Sequence, residues 1–173
     1  MKNLKLILFF FVLSNLNAQD FTQFEKKIFE FEKEKLNYRI LKPLNYNPNK
    51  QYPVHLFLHG AGERGNDNVS QLVHGGKLFL KKENREQYNS WVIFPQAPKN
   101  DWWGYKEPYK FDYNVKESKA MSLVVKLMDD FIEREDVNQN KVYVSGLSMG
   151  GMGTFVILNL RPEMFAAATP ICG

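Results

Sequence analysis

The sequence has very few of the residues that build disulfide frameworks or metal sites. Cys172 is the only cysteine among 173 residues, so no disulfide can form within the chain. The three histidines are not grouped with other histidines, cysteines or carboxylates at the spacing of metal ligands. We therefore expect neither a bound metal nor a cofactor.

One segment, Asp136-Val137-Asn138-Gln139-Asn140, begins like a calcium-binding loop. The pattern then fails, because Lys141 stands at the sixth position, where glycine makes the turn. Leu147 stands at the twelfth position, where a bidentate glutamate belongs. The segment therefore predicts no calcium site.

The chain also lacks a strong charge of either sign. Its formal net charge is +4, and its lysines form no basic patch with interleaved aromatic residues. Lys81 and Lys82, beside Glu83, are typical of a solvated helix end. This argues against a nucleic-acid partner. With 44% hydrophobic and 24% charged residues and no low-complexity linker, the sequence predicts one globular domain.

The longest apolar run lies at the amino terminus and is too short to span a bilayer. Lys2 and Lys5 precede it, and Ala18 follows where a signal peptidase would cut. We therefore predict a signal peptide over residues 1–18 and a secreted or periplasmic protein without a stable membrane anchor. The mature chain would begin at Gln19, and the loss of two lysines and no acidic residue would lower its charge from +4 to +2.

Apolar segments alternate with segments of helical periodicity along the mature chain. We interpret 21–35 as a lead-in segment and 36–41 as an edge strand. Buried strands are predicted at 52–58, 91–95, 141–145 and 165–172, and a helix with one apolar face at 118–134. Strands that alternate with helices predict an α/β domain over residues 19–173, with a mostly parallel sheet covered on both faces.

A serine lies between two glycines where a predicted strand meets a helix, in Gly146-Leu147-Ser148-Met149-Gly150. At such a turn a nucleophilic serine is held in a strained backbone conformation. The residues two before and two after it must be small, so that strand and helix can pass closely. Ser148 is therefore the candidate nucleophile, and the alternative is a purely structural glycine-rich turn.

A second glycine-rich segment, 59–65, follows the strand predicted at 52–58. An enzyme that attacks a carbonyl with serine needs backbone N–H groups aimed at the negative oxygen of the tetrahedral intermediate. This loop can supply one donor, and Met149, the residue after the nucleophile, can supply the other. We interpret His59 as a brace for the loop rather than as a base.

These motifs together resemble the α/β-hydrolase superfamily. The resemblance is carried by HGAGERG within 58–65, by VIFPQAP at 92–98 and by the serine turn, and it extends from about Tyr38 to the last residue. Within the superfamily, the chain is similar to secreted esterases and predicted peptidases near the polyhydroxybutyrate depolymerase and feruloyl esterase group. The implied fold is a three-layer α/β-hydrolase sandwich.

The resemblance also implies site residues: Ser148 as nucleophile, the backbone amides of Met149 and Ala61 as oxyanion-hole donors, and Gly62 beside that hole. In this fold the triad follows the order serine, acid, histidine, whereas all three histidines here precede Ser148. We therefore expect an amino-terminal portion that lacks its carboxyl-terminal strands, with the acid and the histidine beyond Gly173. Such a portion would be inactive alone.

A rearranged triad is the alternative, with His59 or His74 as base and Asp67 or Asp101 as acid. Against it, His59 lies within the loop that should surround the oxyanion. His74 lies in 71–76, which is typical of a short helix ending at glycine. The two aspartates are typical of loops and helix caps.

Two tryptophans, Trp102 and Trp103, lie on the loop after the strand predicted at 91–95. Loops at the carboxyl ends of parallel strands bind ligands in open α/β sheets. The two indoles could line a substrate pocket, where aromatic walls suit a phenolic, acyl or sugar group. Equally, they could seal the loop onto the domain, and the sequence leaves both interpretations open.

The sequence thus predicts a secreted serine hydrolase that cleaves small-molecule or polymer-linked carboxylic esters by acyl transfer. The same scaffold could also carry a peptidase or a non-catalytic binding protein. Fold and nucleophile do not separate these alternatives, because specificity depends on the pocket loops.

Overall fold

The computed structural model describes residues 21–107 and 114–173. The predicted signal peptide lies outside these residues and stays a prediction. Within the described part of the chain, no helix is long and apolar enough to cross a membrane.

The described residues form one six-stranded sheet. Its strands are β1 (Phe24–Phe31), β2 (Glu34–Leu41), β3 (Tyr52–Leu58), β4 (Trp91–Pro95), β5 (Val137–Leu147) and β6 (Ala167–Ile171). Their order across the sheet is β1-β2-β4-β3-β5-β6. The last four strands in this order are parallel, whereas β2 is antiparallel to both β1 and β4. The carboxyl ends of β3, β4 and β5 therefore meet at one edge, where the candidate site lies.

Helices cover both faces of this sheet. They are α1 (Gly76–Leu80), α2 (Lys82–Gln87), α3 (Lys119–Ile132) and α4 (Met149–Leu160). One apolar core joins α3 and α4 to side chains such as Leu56, Ile93 and Val144. A smaller core on the opposite face includes Phe57 and Phe94, against which Phe79 of α1 packs edge-on. The α/β class and the mostly parallel, two-sided sheet predicted from the sequence are confirmed.

The second face is less covered than the first. A groove of about 800 Å³ runs over it, with His55, Phe57, Phe79 and Tyr88 among its lining residues. Ser148 does not line this groove. The groove is therefore a feature of the sheet face and not of the loops at the carboxyl ends of the strands.

The structure corrects the interpretation of residues 21–35. This segment is not a lead-in, because β1 pairs with β2 along its whole length through a turn in which Glu32 has a φ of 55°. Most side chains of β1 are exposed, since the strand lies at the edge of the sheet. Because only Phe24 is buried and only Phe29 is partly buried, the strand shows no strict alternation of apolar residues. The predicted edge strand at 36–41 is consequently the inner strand β2.

The other predicted elements differ from the structure mainly at their boundaries. The strands expected at 52–58 and 91–95 coincide with β3 and β4, and the helix expected at 118–134 is α3. The short helix expected at 71–76 is shorter in the structure and begins one residue earlier. A 3₁₀ turn at Ser70–Leu72 precedes Gly75, whose φ of 101° breaks the chain direction before α1 begins.

Ser118 fixes the amino terminus of α3. Its backbone is extended, and its hydroxyl accepts a hydrogen bond from the Met121 N–H at 3.2 Å. The same hydroxyl donates to the Trp102 carbonyl oxygen at 2.6 Å. The cap therefore joins the helix to the loop that follows β4.

We expect Ser118→Ala to lower the free energy of unfolding by about 1–2 kcal/mol, because it removes a buried N-cap. Ser122→Ala is the matched control, since the Ser122 side chain makes no hydrogen bond among the described residues. Urea denaturation followed by circular dichroism measures both. Equal stability of the two variants would contradict the capping role.

Candidate active site

Ser148 is the single residue between the end of β5 and the start of α4. It has φ 53° and ψ −115°, a conformation that serine adopts only when the surrounding structure holds it there. Its side chain is exposed, whereas the neighbouring Met149 is buried. The Ser148 hydroxyl makes no hydrogen bond within the described residues. The turn therefore presents a free hydroxyl at the edge of the sheet.

Two glycines make this turn possible. A Cβ on Gly146 would collide with the Gly150 carbonyl group and lie 2.6 Å from Thr154 Oγ1. A Cβ on Gly150 would collide with the carbonyl group of Leu58, the last residue of β3. The backbones of β3, β5 and α4 are thus in direct contact, and any side chain at either glycine would push the serine turn away from the sheet.

The amide of Ser148 is also held in place. Its N–H donates to the Ile171 carbonyl oxygen at 2.8 Å, which ties the turn to the end of β6. Met149 is the first residue of α4, and N–H groups of the first helical turn have no acceptor within their helix. The Met149 N–H is therefore available to an oxygen near Ser148.

The glycine-rich loop after β3 lies against the serine turn. It begins with a 3₁₀ turn at Ala61–Glu63, closed by a hydrogen bond from the Glu63 N–H to the Gly60 carbonyl oxygen at 3.3 Å. A Cβ on Gly60 would lie 3.8 Å from the Ser148 Cβ. The start of a helical turn has unsatisfied N–H groups. The loop thus brings the N–H groups of Ala61 and Gly62 to the vicinity of Ser148.

The space beside Gly62 is open. A Cβ on Gly62 would meet no atom within 4 Å among the described residues. By contrast, the Glu63 carboxylate packs under Gly60 and points towards His74, with 3.6 Å between Glu63 Oε1 and His74 Nε2. The outer side of the loop is therefore the side from which a ligand could approach.

His59 is a structural residue. Its Nδ1–H donates to the Gly60 carbonyl oxygen at 2.6 Å, and its Nε2 accepts from the Ala97 N–H at 3.0 Å. Both ring nitrogens are occupied, which fixes the neutral imidazole in one tautomer. Burial lowers the pKa of His59 to about 4. His59 therefore braces the loop, as its position in the sequence suggested.

Neither of the other histidines reaches Ser148. His55 Nε2 lies 2.9 Å from Ser145 Oγ on the grooved face of the sheet, and burial lowers the pKa of His55 to about 4. His74 is exposed, and Glu63 lies between it and Gly60. Among the described residues, no hydrogen bond joins either imidazole to Ser148, whereas the base of a triad must contact its serine.

The two candidate acids of a rearranged triad serve as caps. Asp101 accepts from the N–H groups of Trp102 and Ala120 at 2.8 Å each. Asp67 accepts from the backbone N–H groups of Val69 and Ser70 and from the Ser70 hydroxyl. Burial alone would raise the pKa of Asp67, but these hydrogen bonds outweigh it and hold that pKa well below its usual range. The loop and cap interpretation is confirmed for both aspartates.

Both tryptophans are buried beneath the site. Trp103 is fully buried, donates its indole N–H to the His59 carbonyl oxygen at 3.0 Å and packs edge-on against the His59 ring. Trp102 donates to the Tyr105 carbonyl oxygen at 2.7 Å. This arrangement favours the second interpretation, in which the indoles seal the loop and support His59 from below.

Sequence reasoning missed one residue of this region, Gln96. It lies directly after β4 and is 1% exposed, and its side chain makes hydrogen bonds to the glycine-rich loop. The signals in the sequence are its place in VIFPQAP at 92–98, one of the motifs that carry the resemblance, and a polar residue directly after a buried strand.

Solved structures of esterases share this architecture. A thermostable esterase is 33% identical to this chain, with a TM-score of 0.78 over 88% of this chain and 41% of its own. A ferulic acid esterase of Anaeromyces mucronatus, at 16% identity, has a TM-score of 0.58 over 83% of this chain and 56% of its own. The second likeness concerns the fold alone.

Comparison by sequence finds two further similarities. A poly(3-hydroxybutyrate) depolymerase of Ralstonia pickettii is 26% identical over 121 residues, which are 69% of this chain and 25% of the depolymerase. A sequence model of the prolyl oligopeptidase family of peptidases matches residues 107–173. The chain thus spans a quarter of that depolymerase and less than half of the thermostable esterase.

The contact between Gly150 and Leu58 predicts a large loss of stability for Gly150→Ala, because the new methyl group would force β3 and α4 apart. We expect the free energy of unfolding to fall by roughly 2 kcal/mol or more. Gly62→Ala is the control, since its Cβ meets nothing within 4 Å. Chemical denaturation of both variants tests the contact, and a Gly150→Ala variant as stable as the control would contradict it.

Proposed function

Since this chain belongs to the α/β-hydrolase superfamily, among its esterases and peptidases, we propose that it cleaves carboxylic esters with Ser148 as the nucleophile. One observation carries the proposal: an exposed serine with φ 53° stands on a turn that two glycines hold against β3, beside a loop with unsatisfied N–H groups. This arrangement supports acyl transfer through a covalent intermediate.

In the proposed reaction, the Ser148 oxygen attacks the ester carbonyl carbon and its proton passes to a base. The carbonyl oxygen becomes an oxyanion, which accepts hydrogen bonds from the N–H groups of Met149 and Ala61, with Gly62 beside them. The C–O bond of the leaving alcohol then breaks, and the alcohol takes the proton. Water then attacks the carbonyl carbon of the acyl-enzyme by the same steps of addition and elimination, and the acid is released.

The base in this proposal is a histidine that follows Gly173 in the complete protein, oriented by an acid that also follows it. The engagement of His59 and His55 with other partners supports this assignment. We accordingly propose that residues 19–173 by themselves retain only the small residual rate that an oxyanion hole and substrate binding provide.

The substrate class is proposed from two observations. Of the named relatives, the two above 25% identity are a poly(3-hydroxybutyrate) depolymerase and a thermostable esterase, and open space lies beside Gly62. An ester of a small or polymer-linked acid fits both. The match to the prolyl oligopeptidase family over 107–173 supports a second candidate, a peptidase that uses the same nucleophile. A secreted or periplasmic location agrees with a polymeric substrate.

We predict that Ser148→Ala abolishes hydrolysis of p-nitrophenyl acetate by the protein expressed from its complete gene. A triad nucleophile of this kind supplies roughly a millionfold in kcat. A fluorophosphonate probe should label the unaltered protein and leave the variant unlabelled. Ser145→Ala is the control, because Ser145 lies on the grooved sheet face with His55.

Labelling that persists in Ser148→Ala would remove Ser148 from the nucleophile role. An unaltered protein that neither hydrolyses esters or peptides nor takes up the probe would instead indicate a binding protein that keeps the scaffold. Turnover of peptide substrates in preference to esters would favour the peptidase.

We predict that Ala61→Pro folds normally but lowers kcat by a hundredfold or more, because it deletes one oxyanion donor. The backbone accepts proline here: Gly60 is extended at ψ 173°, and the first position of a helical turn needs no N–H. Ala61→Gly keeps the donor and is the control. Steady-state kinetics measures the loss of kcat, and thermal unfolding measures any loss of stability. Equal kcat values in Ala61→Pro and Ala61→Gly would exclude Ala61 as a donor.

A further inference from the structure

Gln96 connects the end of β4 to the glycine-rich loop. Its side chain is almost fully buried, and both polar atoms of its amide have partners between Glu63 and Asn68, in the loop that continues from the glycine-rich segment. Nε2–H donates to the Glu63 carbonyl oxygen at 3.2 Å and to Asp67 Oδ1 at 2.7 Å. Oε1 accepts from the Asn68 N–H at 2.8 Å. A single amide thus holds three residues of one loop.

The first of these contacts lies at the candidate oxyanion hole. Glu63 is the last residue of the 3₁₀ turn that begins with Ala61, and its N–H closes that turn on Gly60. A hydrogen bond to the Glu63 carbonyl oxygen fixes the far end of the turn. Because the turn has only three residues, the direction of the Ala61 N–H group depends on where Glu63, at its far end, is held.

The second and third contacts anchor the loop to the body of the domain. Asn68 has a φ of 53°, and its carbonyl oxygen accepts from the buried Arg39 guanidinium at 3.1 Å. Its side chain donates to the Lys27 carbonyl oxygen and accepts from Gln71. These hydrogen bonds hold Asn68 against β1 and β2. Gln96 in turn connects the 3₁₀ turn to Asn68.

The residue after Gln96 completes the attachment. The Ala97 N–H donates to His59 Nε2, and the Ala97 carbonyl oxygen accepts from the Gly65 N–H at 2.9 Å. A Cβ on Gly65 would lie 3.3 Å from Gln96 Nε2, so the loop backbone passes directly over the amide. The end of β4 thus holds the loop before and after the turn that carries Ala61 and Gly62.

We propose that Gln96 is a positioning residue for the reaction, which sets the direction of the Ala61 N–H group towards the oxyanion, beside Gly62, through its hydrogen bonds to Glu63, Asp67 and Asn68. The proposal rests on the proposed function. It assigns Gln96 no contact with the substrate. Donors displaced by about 1 Å lose most of their effect on a transition state, so the amide acts on kcat through geometry.

The chain contains a matched amide that holds a loop elsewhere. Asn89 precedes β4 at its opposite end, and its side chain accepts from the Leu44 N–H at 2.6 Å and donates to the Leu44 carbonyl oxygen at 3.0 Å. Gln96 and Asn89 are thus amide braces at the two ends of one strand. Only Gln96 lies at the end where Ser148 is found.

The test compares Gln96→Met with Asn89→Leu in the protein expressed from its complete gene. Both substitutions remove amide hydrogen bonds and keep side-chain size. We expect both to lower the thermal midpoint, and only Gln96→Met to lower kcat on p-nitrophenyl acetate, by about ten- to a hundredfold with little change in KM. Should Gln96→Met fail to fold, Gln96→Asn, which keeps an amide but draws it back by one methylene, takes its place. Asn89→Gln, which shifts the other amide by one methylene, is then the control.

A folded Gln96 variant with unaltered kcat would overturn the positioning role, as would an equal loss of kcat in the Asn89 control. The Ser148→Ala variant keeps this failure distinct from failure of the proposed function. If Ser148→Ala is inactive while the Gln96 variant is fully active, the function stands and the positioning role is wrong. If Ser148→Ala is as active as the unaltered protein, the proposed function is wrong.

Discussion

The candidate site depends on a contact between three stretches of backbone that have no side chains between them. Gly146 touches the Gly150 carbonyl group, and Gly150 touches the carbonyl group of Leu58. This contact fixes the distance between β3, β5 and α4, and through it the distance between the loop after β3 and the turn at Ser148. Protein interiors transmit small displacements instead of absorbing them. A methyl group at either glycine therefore changes the geometry of residues that it does not touch.

Hydrogen-bonded polar side chains surround that contact. His59 is hydrogen-bonded to the Gly60 carbonyl oxygen and the Ala97 N–H, Gln96 to the Glu63 carbonyl oxygen, and Asp67 to the Val69 N–H. Loops without regular structure have many backbone groups that need partners. In this protein the partners come from side chains at the ends of strands, so the same bonds that satisfy the loop also define its shape. Trp103 adds an apolar support beneath the His59 ring.

The sequence was informative where one local pattern determines the structure. The serine turn was predictable because Gly146 and Gly150 fit only a close crossing of strand and helix, and β3 and β4 because buried parallel strands are continuously apolar. β1 was missed because its apolar residues show no strict alternation. The role of Gln96 was not predictable either, since its partners lie about 30 residues away along the chain and only folding brings them together. The same limit applied to Trp102 and Trp103, whose burial favours one of two interpretations that the sequence left equal.

The neutral state of the buried histidines has a consequence for the conditions in which this fold persists. Burial holds the pKa of His55 and of His59 at about 4 in the folded chain, whereas an unfolded histidine titrates near 6.5. As the pH falls from 6.5 to 4, the unfolded chain binds protons that the folded chain does not bind. Acid therefore shifts the equilibrium towards unfolding. Protonation of His59 would also remove the acceptor that holds the Ala97 N–H. Protons therefore compete directly with the brace of the glycine-rich loop, and these two histidines oppose folding only below about pH 6.5.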